Sequence, residues 1–250
     1  MANIIRCVLP DGVHRFKPFT VADYRDFLLV RNDMQHKTYE EQKVIIKELL
    51  ADYFGEYPET LRPYMFMKVF TGSIGKTKIP VAFTCPTCEK QKQVLFDISQ
   101  EDLVEPTIEV AGITIAFKFP EKEYEDKAAM IYDCIKAIKY NNQWYPWKEM
   151  SEDNQIQVIE AIDFTTFEKI YTQLTPMRFE LKMKCCELRT NVYEDILSVF
   201  KLLINPDEIF SFYQINHTLV KSSYDLNSIM GMIPIERSIA LSLVEKDNKK

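Results

Sequence analysis

The sequence predicts an α+β fold in which short β-hairpins pack with several helices and a helical extension closes the chain. Three observations carry this. Short apolar-alternating runs flank Pro10-Asp11-Gly12, Ala111-Gly112 and Asn141-Asn142, residues that favour tight turns. Hydroxyl or carboxylate residues stand directly before apolar stripes of helical period at several places. Two thiol pairs, Cys85/Cys88 and Cys185/Cys186, each follow an alternating run. With 250 residues and 46% hydrophobic content, the chain can bury a sizeable core.

Taken in order, Asn3 to Leu9 and Val13 to Pro18 form the first predicted hairpin, with Gly12 supplying the permissive backbone. Thr20-Val21-Ala22-Asp23 has the spacing of a capping box, so a helix starts at Val21 and ends at Asn32-Asp33, with Val21, Tyr24, Phe27, Leu28 and the Arg31 stem on one face. Thr38-Tyr39-Glu40-Glu41 opens a second helix, with Val44, Ile45, Glu48, Leu49 and Tyr53 in register. Its acidic first turn suits the helix dipole. Leu61 to Phe70, dense in Met and aromatic residues, reads as a buried helix.

Phe83 to Asp97 reads as a strand, the tight turn Cys85-Pro86-Thr87-Cys88, and a return strand over Gln93 to Phe96. Ser99 to Leu103 is a short helical or turn connection. Thr107 to Val110 and Ile113 to Phe119 form a second hairpin, and Glu121 to Ile131 is expected to be helical. Tyr132 to Tyr140 fits either period, and the Asn141-Asn142 turn followed by Trp144-Tyr145 favours a hairpin there. Helices are expected from Ser151 through Ile162, with Ile156, Val158, Ile159 and Ile162 apolar, and over Phe164 to Leu174 after Asp163. Thr175-Pro176 breaks the chain. Arg178 to Lys184 alternates as a strand with Phe179, Leu181 and Met183 on one face, delivers Cys185-Cys186, and returns over Glu187 to Val192. From Asp195 the chain reads as helical, interrupted near Pro206 and between Gly231 and Pro234, with a frayed charged tail from Glu245 to Lys250. These elements divide into an α+β domain over 1–204, closed by hairpins at 79–97 and 177–193, and a helical C-terminal extension over 205–250.

The thiols carry the clearest chemistry. A Cys-x-x-Cys turn points two sulfurs to one side and forms half of a zinc ribbon, so Cys85 and Cys88 are expected to meet Cys185 and Cys186 around one structural zinc. Adjacent strand residues face opposite ways, and position 188, where a second Cys-x-x-Cys would end, is Leu188. Cys186 therefore joins only if the chain turns sharply at that point. The competing reading is a degenerate ribbon whose hairpins persist by packing. A thioredoxin-like role is disfavoured because strand residues, not a helix, follow the thiols.

Other motifs fail on context. Gly75-Lys76-Thr77 lacks the first glycine of a phosphate loop, since Phe70 stands there, and Lys78-Ile79-Pro80 cannot start the required helix; the segment reads as a glycine-stopped helix end. His14, His36 and His217 show no triad pattern, although Cys7 and His14 face each other across the first hairpin. No carboxylates form a recognisable acid/base pair, so no enzymatic activity is expected. The net charge of −6 shows no basic excess, which disfavours nucleic acid. No signal peptide and no run of about 20 apolar residues is present, so an intracellular, soluble protein without membrane contact is expected. Phe210, Phe212, Tyr213, Leu219 and Val220 carry a large apolar load; these aromatics read as core, or as an exposed face for protein partners.

The ordered segments MANIIRCVLPDG, FKPFTVADYRDFLLVRNDM, GKTKIPVAFTCPTCEKQKQVLFDISQEDL, FELKMKCCELRTNVYEDILSVFKLL and SYDLNSIMGMIPIERSIALSLVEK resemble the baseplate hub assembly proteins of T-even-type contractile-tailed bacteriophages. The likeness covers most of the chain. It departs at the second thiol pair, where related tail proteins look as if they carry a complete Cys-x-x-Cys. The resemblance implies a late phage protein, binding other baseplate hub proteins in the host cell cytoplasm. It implies a chaperone-type assembly factor, whose partner surface is expected at Phe210, Phe212, Tyr213 and Leu219. The alternative is a structural hub subunit retained in the finished tail.

Overall fold

A computed structural model describes residues 4–247; Asn3 of the first expected strand and the last three residues of the expected tail lie outside the described residues. Strands β1 (Ile5–Leu9) and β2 (Gly12–Phe16) form the first hairpin, with Cys7 opposite His14. Helices α1 (Val21–Asp33) and α2 (Tyr39–Phe54) both start in capping boxes. The Asp23 carboxylate accepts from the Thr20 amide at 2.7 Å, and the Glu41 carboxylate accepts from the Thr38 amide at the same distance. These bonds satisfy amides that a helix start otherwise leaves unpaired. After α1, a single 3₁₀ turn over Met34–His36 tucks Met34 into the interior.

The inward face of α2 differs from the expected one. Gln42, Ile46, Leu49, Leu50 and Phe54 are buried, whereas Val44 is 53% exposed. The helix carries apolar doublets, so two rotational phases about a residue apart bury similar area, and the surroundings select one. Helix α3 (Arg62–Ile74) buries Tyr64, Met65, Phe66, Met67, Val69 and Phe70 and forms the spine of the main core. Phe66 packs against Phe19, Phe27 and Phe200, which brings together three distant parts of the chain. Gly75 ends α3 in the left-handed conformation, at φ 65°.

Strands β3 (Lys78–Thr84) and β4 (Gln91–Asp97) form the first thiol-bearing hairpin. Residues 99–103 connect without regular structure. An insert follows: β5 (Thr107–Val110), β6 (Ile113–Phe117), helix α4 (Lys127–Cys134), β7 (Ile135–Tyr140), β8 (Gln143–Pro146), and helices α5 (Glu152–Glu160) and α6 (Phe164–Leu174). Its four strands form one antiparallel sheet in chain order. Asn141 and Asn142 turn between β7 and β8 with φ of 48° and 62°, as expected of that pair. The helix expected over 121–131 is displaced: Asp126 caps it at the amides of Ala128 and Ala129, so it begins at Lys127, runs to Cys134 and passes directly into β7. Helix α5 is shorter than expected and leaves Ile156 54% exposed while burying Val158. Asp163 caps α6 at the amide of Thr166. The insert has its own core of Ile108, Ile115, Phe117, Ile131, Ile138, Trp147, Ile170 and Leu174 among others.

The chain then re-enters the main core. Strands β9 (Phe179–Lys184) and β10 (Leu188–Tyr193) form the second thiol-bearing hairpin, with Phe179, Leu181 and Met183 buried. Phe96 of β4 meets Phe179 edge-on and Tyr193 at a tilt, so the two hairpins stand side by side. Helix α7 (Ile196–Leu203) buries Val199 and Phe200. The C-terminal helices α8 (Glu208–Lys221), α9 (Leu226–Gly231) and α10 (Pro234–Asp247) share a small core of Leu219, Ile229, Ala240 and Val244. Glu245 to Asp247, expected to fray, continue α10. These helices dock on the chain's beginning. The Val21 amide donates to the Met232 carbonyl at 2.8 Å, Tyr24 donates to Glu208 at 3.0 Å, and Ile235 sits over Gly75, where a Cβ would collide with it.

Candidate metal centre

The tips of the two hairpins bring four thiols together. In the first, the Glu89 amide donates to the Cys85 carbonyl at 2.7 Å and the Cys85 amide donates to the Lys90 carbonyl at 3.0 Å; Glu89 takes a positive φ of 55°. This turn aims Cys85 and Cys88 to one side. In the second, β9 stops at Lys184 and residues 185–187 bend, with the Cys185 amide bonded to the Glu187 carbonyl at 3.2 Å. The bend frees Cys185 and Cys186 from strand alternation, so both reach the cluster. The expectation that Cys186 would stay out unless the chain turned sharply is resolved by that turn.

The four sulfurs lie within 4.8 Å of one another, and Cys88 and Cys185 are 3.6 Å apart. Four thiolates around one ion at about 2.3 Å place sulfurs about 3.8 Å apart in a tetrahedron. The set therefore needs a contraction of about 1 Å at its widest to hold a single ion. Cys85 is buried, Cys88 and Cys185 are half-buried, and Cys186 is exposed. The amides of Cys88, Thr87 and Cys186 point at the Cys85 sulfur and bring its pKa down to about 6. Such amides favour the thiolate, the form that binds metal. The Cys186 thiol, hydrogen-bonded to Cys88 and partly desolvated, is pushed up to about 12, and Cys185 is raised for the same reasons. One anion among four close sulfurs opposes the next, and a bound cation removes that opposition. The donor set thus fits a soft, tetrahedrally bound metal ion.

The remaining cysteines are different. Cys7 and Cys134 are buried, and desolvation pushes each up to about 11. His14 does not serve Cys7: its Nε2 meets Asp11 at 2.8 Å and its Nδ1 meets Tyr57 at 3.2 Å, so both ring nitrogens are engaged. Gly75-Lys76-Thr77 lies at the end of α3, before β3, and forms no phosphate cradle.

The expected partner residues divide. Phe210 is 76% exposed and Tyr213 52% exposed on α8, whereas Phe212 and Leu219 are buried. Phe212 packs under the Arg237 guanidinium, 4.6 Å from the ring centre, and Leu219 lies in the core of the C-terminal helices. Phe212 and Leu219 therefore cannot touch a partner on this surface, because residues three and four apart on one helix follow a common face and theirs points inward. Val220, grouped with them in the sequence, is 42% exposed and shares the outward face with Tyr213. Among the described residues no helix is long and apolar enough to cross a membrane.

A family model described as T4 bacteriophage base plate protein matches residues 1–201, and one described as baseplate hub assembly protein Gp51 C-terminal domain matches residues 203–249. No curated protein and no solved structure matches the chain.

Proposed function

The chain belongs to the T4 bacteriophage base plate protein family, with a role in baseplate hub assembly, and from that premise we propose that it is a transient, non-enzymatic assembly factor for the central hub. It acts by binding other hub proteins in the host cell cytoplasm. The observation that carries this reading is the coincidence of two features: residues 203–249 match the hub-assembly model, and that segment turns Phe210 and Tyr213 outward on α8. Exposed aromatic side chains on a firm helix supply contact area at small entropic cost, as protein interfaces require. The acidic balance of −6 supports protein rather than nucleic-acid partners.

One zinc ion held by Cys85, Cys88, Cys185 and Cys186 completes the proposal, in a structural role. Four thiolates without an open position suit zinc and leave no place for substrate. Support comes from the sulfur separations and from the amides directed at Cys85.

A second reading, a hub subunit retained in the finished tail, is favoured by the match of the first 201 residues to a base plate protein model. Quantitative mass spectrometry of purified tails decides between them. The factor is expected in infected-cell lysate bound to hub proteins and absent from finished tails; stoichiometric presence there overturns the transient role. Co-expression with individual hub proteins identifies the partner.

A further inference from the structure

The insert is joined to the rest of the molecule in an unusual way. It has a hydrophobic core that shares no residue with the main one. Among the described residues, no backbone hydrogen bond crosses between residues 105–176 and the remainder. Its sheet, α4, α5 and α6 pack on one another, and the chain enters and leaves through Glu105-Pro106 and Thr175-Pro176. Between the bodies lies a cleft of 820 Å³, with Val44, Lys47 and Pro63 on one wall and Met130, Tyr171 and Leu174 on the other.

What holds the bodies together is concentrated in the loop after β6. Phe117 is buried in the insert's core, but two residues later Phe119 is buried in the main core. Next to it, Thr60 donates to the Pro120 carbonyl, and Lys47, which also pairs with Glu59 of its own body at 3.0 Å, reaches Glu123 of the insert at 2.8 Å. A third tie, Tyr171 to Glu194, spans 3.3 Å. The Lys47 pairs are solvent-exposed and individually weak. One aromatic side chain therefore does most of the anchoring.

We infer that residues 105–176 form an arm that swings about the two proline-marked connections, with Phe119 as a releasable hook and Lys47 as its clasp. The seen arrangement is the latched one, and withdrawal of Phe119 opens the cleft. Two-state elements of this kind are characteristic of binding proteins that close around or release a partner. This inference does not depend on the hub-assembly reading, because it rests on the packing alone.

The test is a distance distribution measured by double electron–electron resonance in the full chain. Nitroxides are attached through genetically encoded ketone amino acids at the exposed positions Glu48 on α2 and Asp153 on α5, leaving all cysteines untouched. The parent is expected to show one dominant short distance. Phe119→Ala should raise a second, longer distance, changing the open-to-latched ratio by about a hundredfold. Lys47→Ala with Thr60→Val should change it by a few-fold. Denaturant unfolding of each variant reports whether both cores remain folded. If Phe119→Ala fails to fold, the Lys47 and Thr60 pair decides the matter alone. A distribution unchanged in the folded variants, or a single unfolding transition shared by arm and main core in every one of them, overturns the inference.

Discussion

Stripping metal from the four-thiol cluster is expected to lower stability more than any single surface change. If one ion binds only the folded chain, its contribution follows linkage, and a thousandfold excess of free ion over its dissociation constant stabilises by about 4 kcal/mol. The rearrangement needed falls on the wider sulfur pairs rather than on Cys88 and Cys185. The 3.6 Å separation of Cys88 and Cys185 is already near the value of about 3.8 Å that one ion demands. A chain of this size moves by about 2–4 °C in Tm per kcal/mol, so a strong chelator should lower Tm by about 8–16 °C. Packing keeps the effect from reaching full unfolding, because Phe96 still holds Phe179 and Tyr193 without an ion. The assay is scanning calorimetry of zinc-loaded, reduced protein with and without chelator, with released zinc read by a chromogenic indicator. Cys85→Ser should weaken retention most, since that sulfur is buried and faces three amides, and exposed Cys186→Ser least. A chelator that withdraws no zinc, or one that withdraws one equivalent while Tm moves by less than about 2 °C, would contradict this role.

Three further outcomes follow from the packing. Gly75→Ala should destabilise by at least about 1–2 kcal/mol, because a left-handed residue gains a Cβ and that Cβ meets Ile235. Gly112→Ala, also at positive φ but with open space around it, serves as the backbone-only control in urea titrations. Phe210→Ser with Tyr213→Ser should leave the urea midpoint within about 0.5 kcal/mol of the parent yet abolish capture of the hub partner. Phe212→Ala should cost about 3–5 kcal/mol, as its ring is buried; equal costs for the two changes would contradict the assignment of faces. Stability should also fall in acid. Glu41 is held below its ordinary 4.5 by Thr38, Asp163 below 3.8 by the Thr166 amide, and Glu180 below 4.5 by Arg178. Each adds stability that is complete above those values and lost as pH falls through the lower folded values. Because the lowered Cys85 thiol already loses its own contribution at higher pH, before pH falls that far, the carboxylates are read below pH 4.5, where a flat urea midpoint would contradict this.

Elements defined by neighbours in the chain were readable from it. Thr20, Thr38 and Asp163 start helices because their side chains reach amides two or three residues away. Asn141-Asn142 turns because both residues tolerate positive φ. Phe179, Leu181 and Met183 alternate because one face of β9 meets the core. The failures share a different cause. The phase of α2 depends on which doublet meets α3, and nothing within α2 decides that. The convergence of Cys186 depends on a bend at 185–187 that contains no glycine or proline to announce it. The separate core of the insert was hidden for the same reason: apolar content shows that a residue is buried, not against which partner. On α8, the aromatic cluster was visible but its division into inward Phe212 and outward Phe210 and Tyr213 required the position of Arg237.

The bond from the Val21 amide to the Met232 carbonyl has a bearing on synthesis. At about 5–20 residues per second, a ribosome reaches Met232 some 10–40 s after Val21 has been made. Through that interval the start of α1 lacks its acceptor, and the α1 surface that receives Tyr24's partner Glu208 stays bare. The nascent chain therefore carries an unfinished N-terminal third until α8 and the segment around Met232 have been made. Truncation within the last helices should leave that surface permanently open, and co-translational engagement of the first helices by host chaperones should end only once the C-terminal helices emerge.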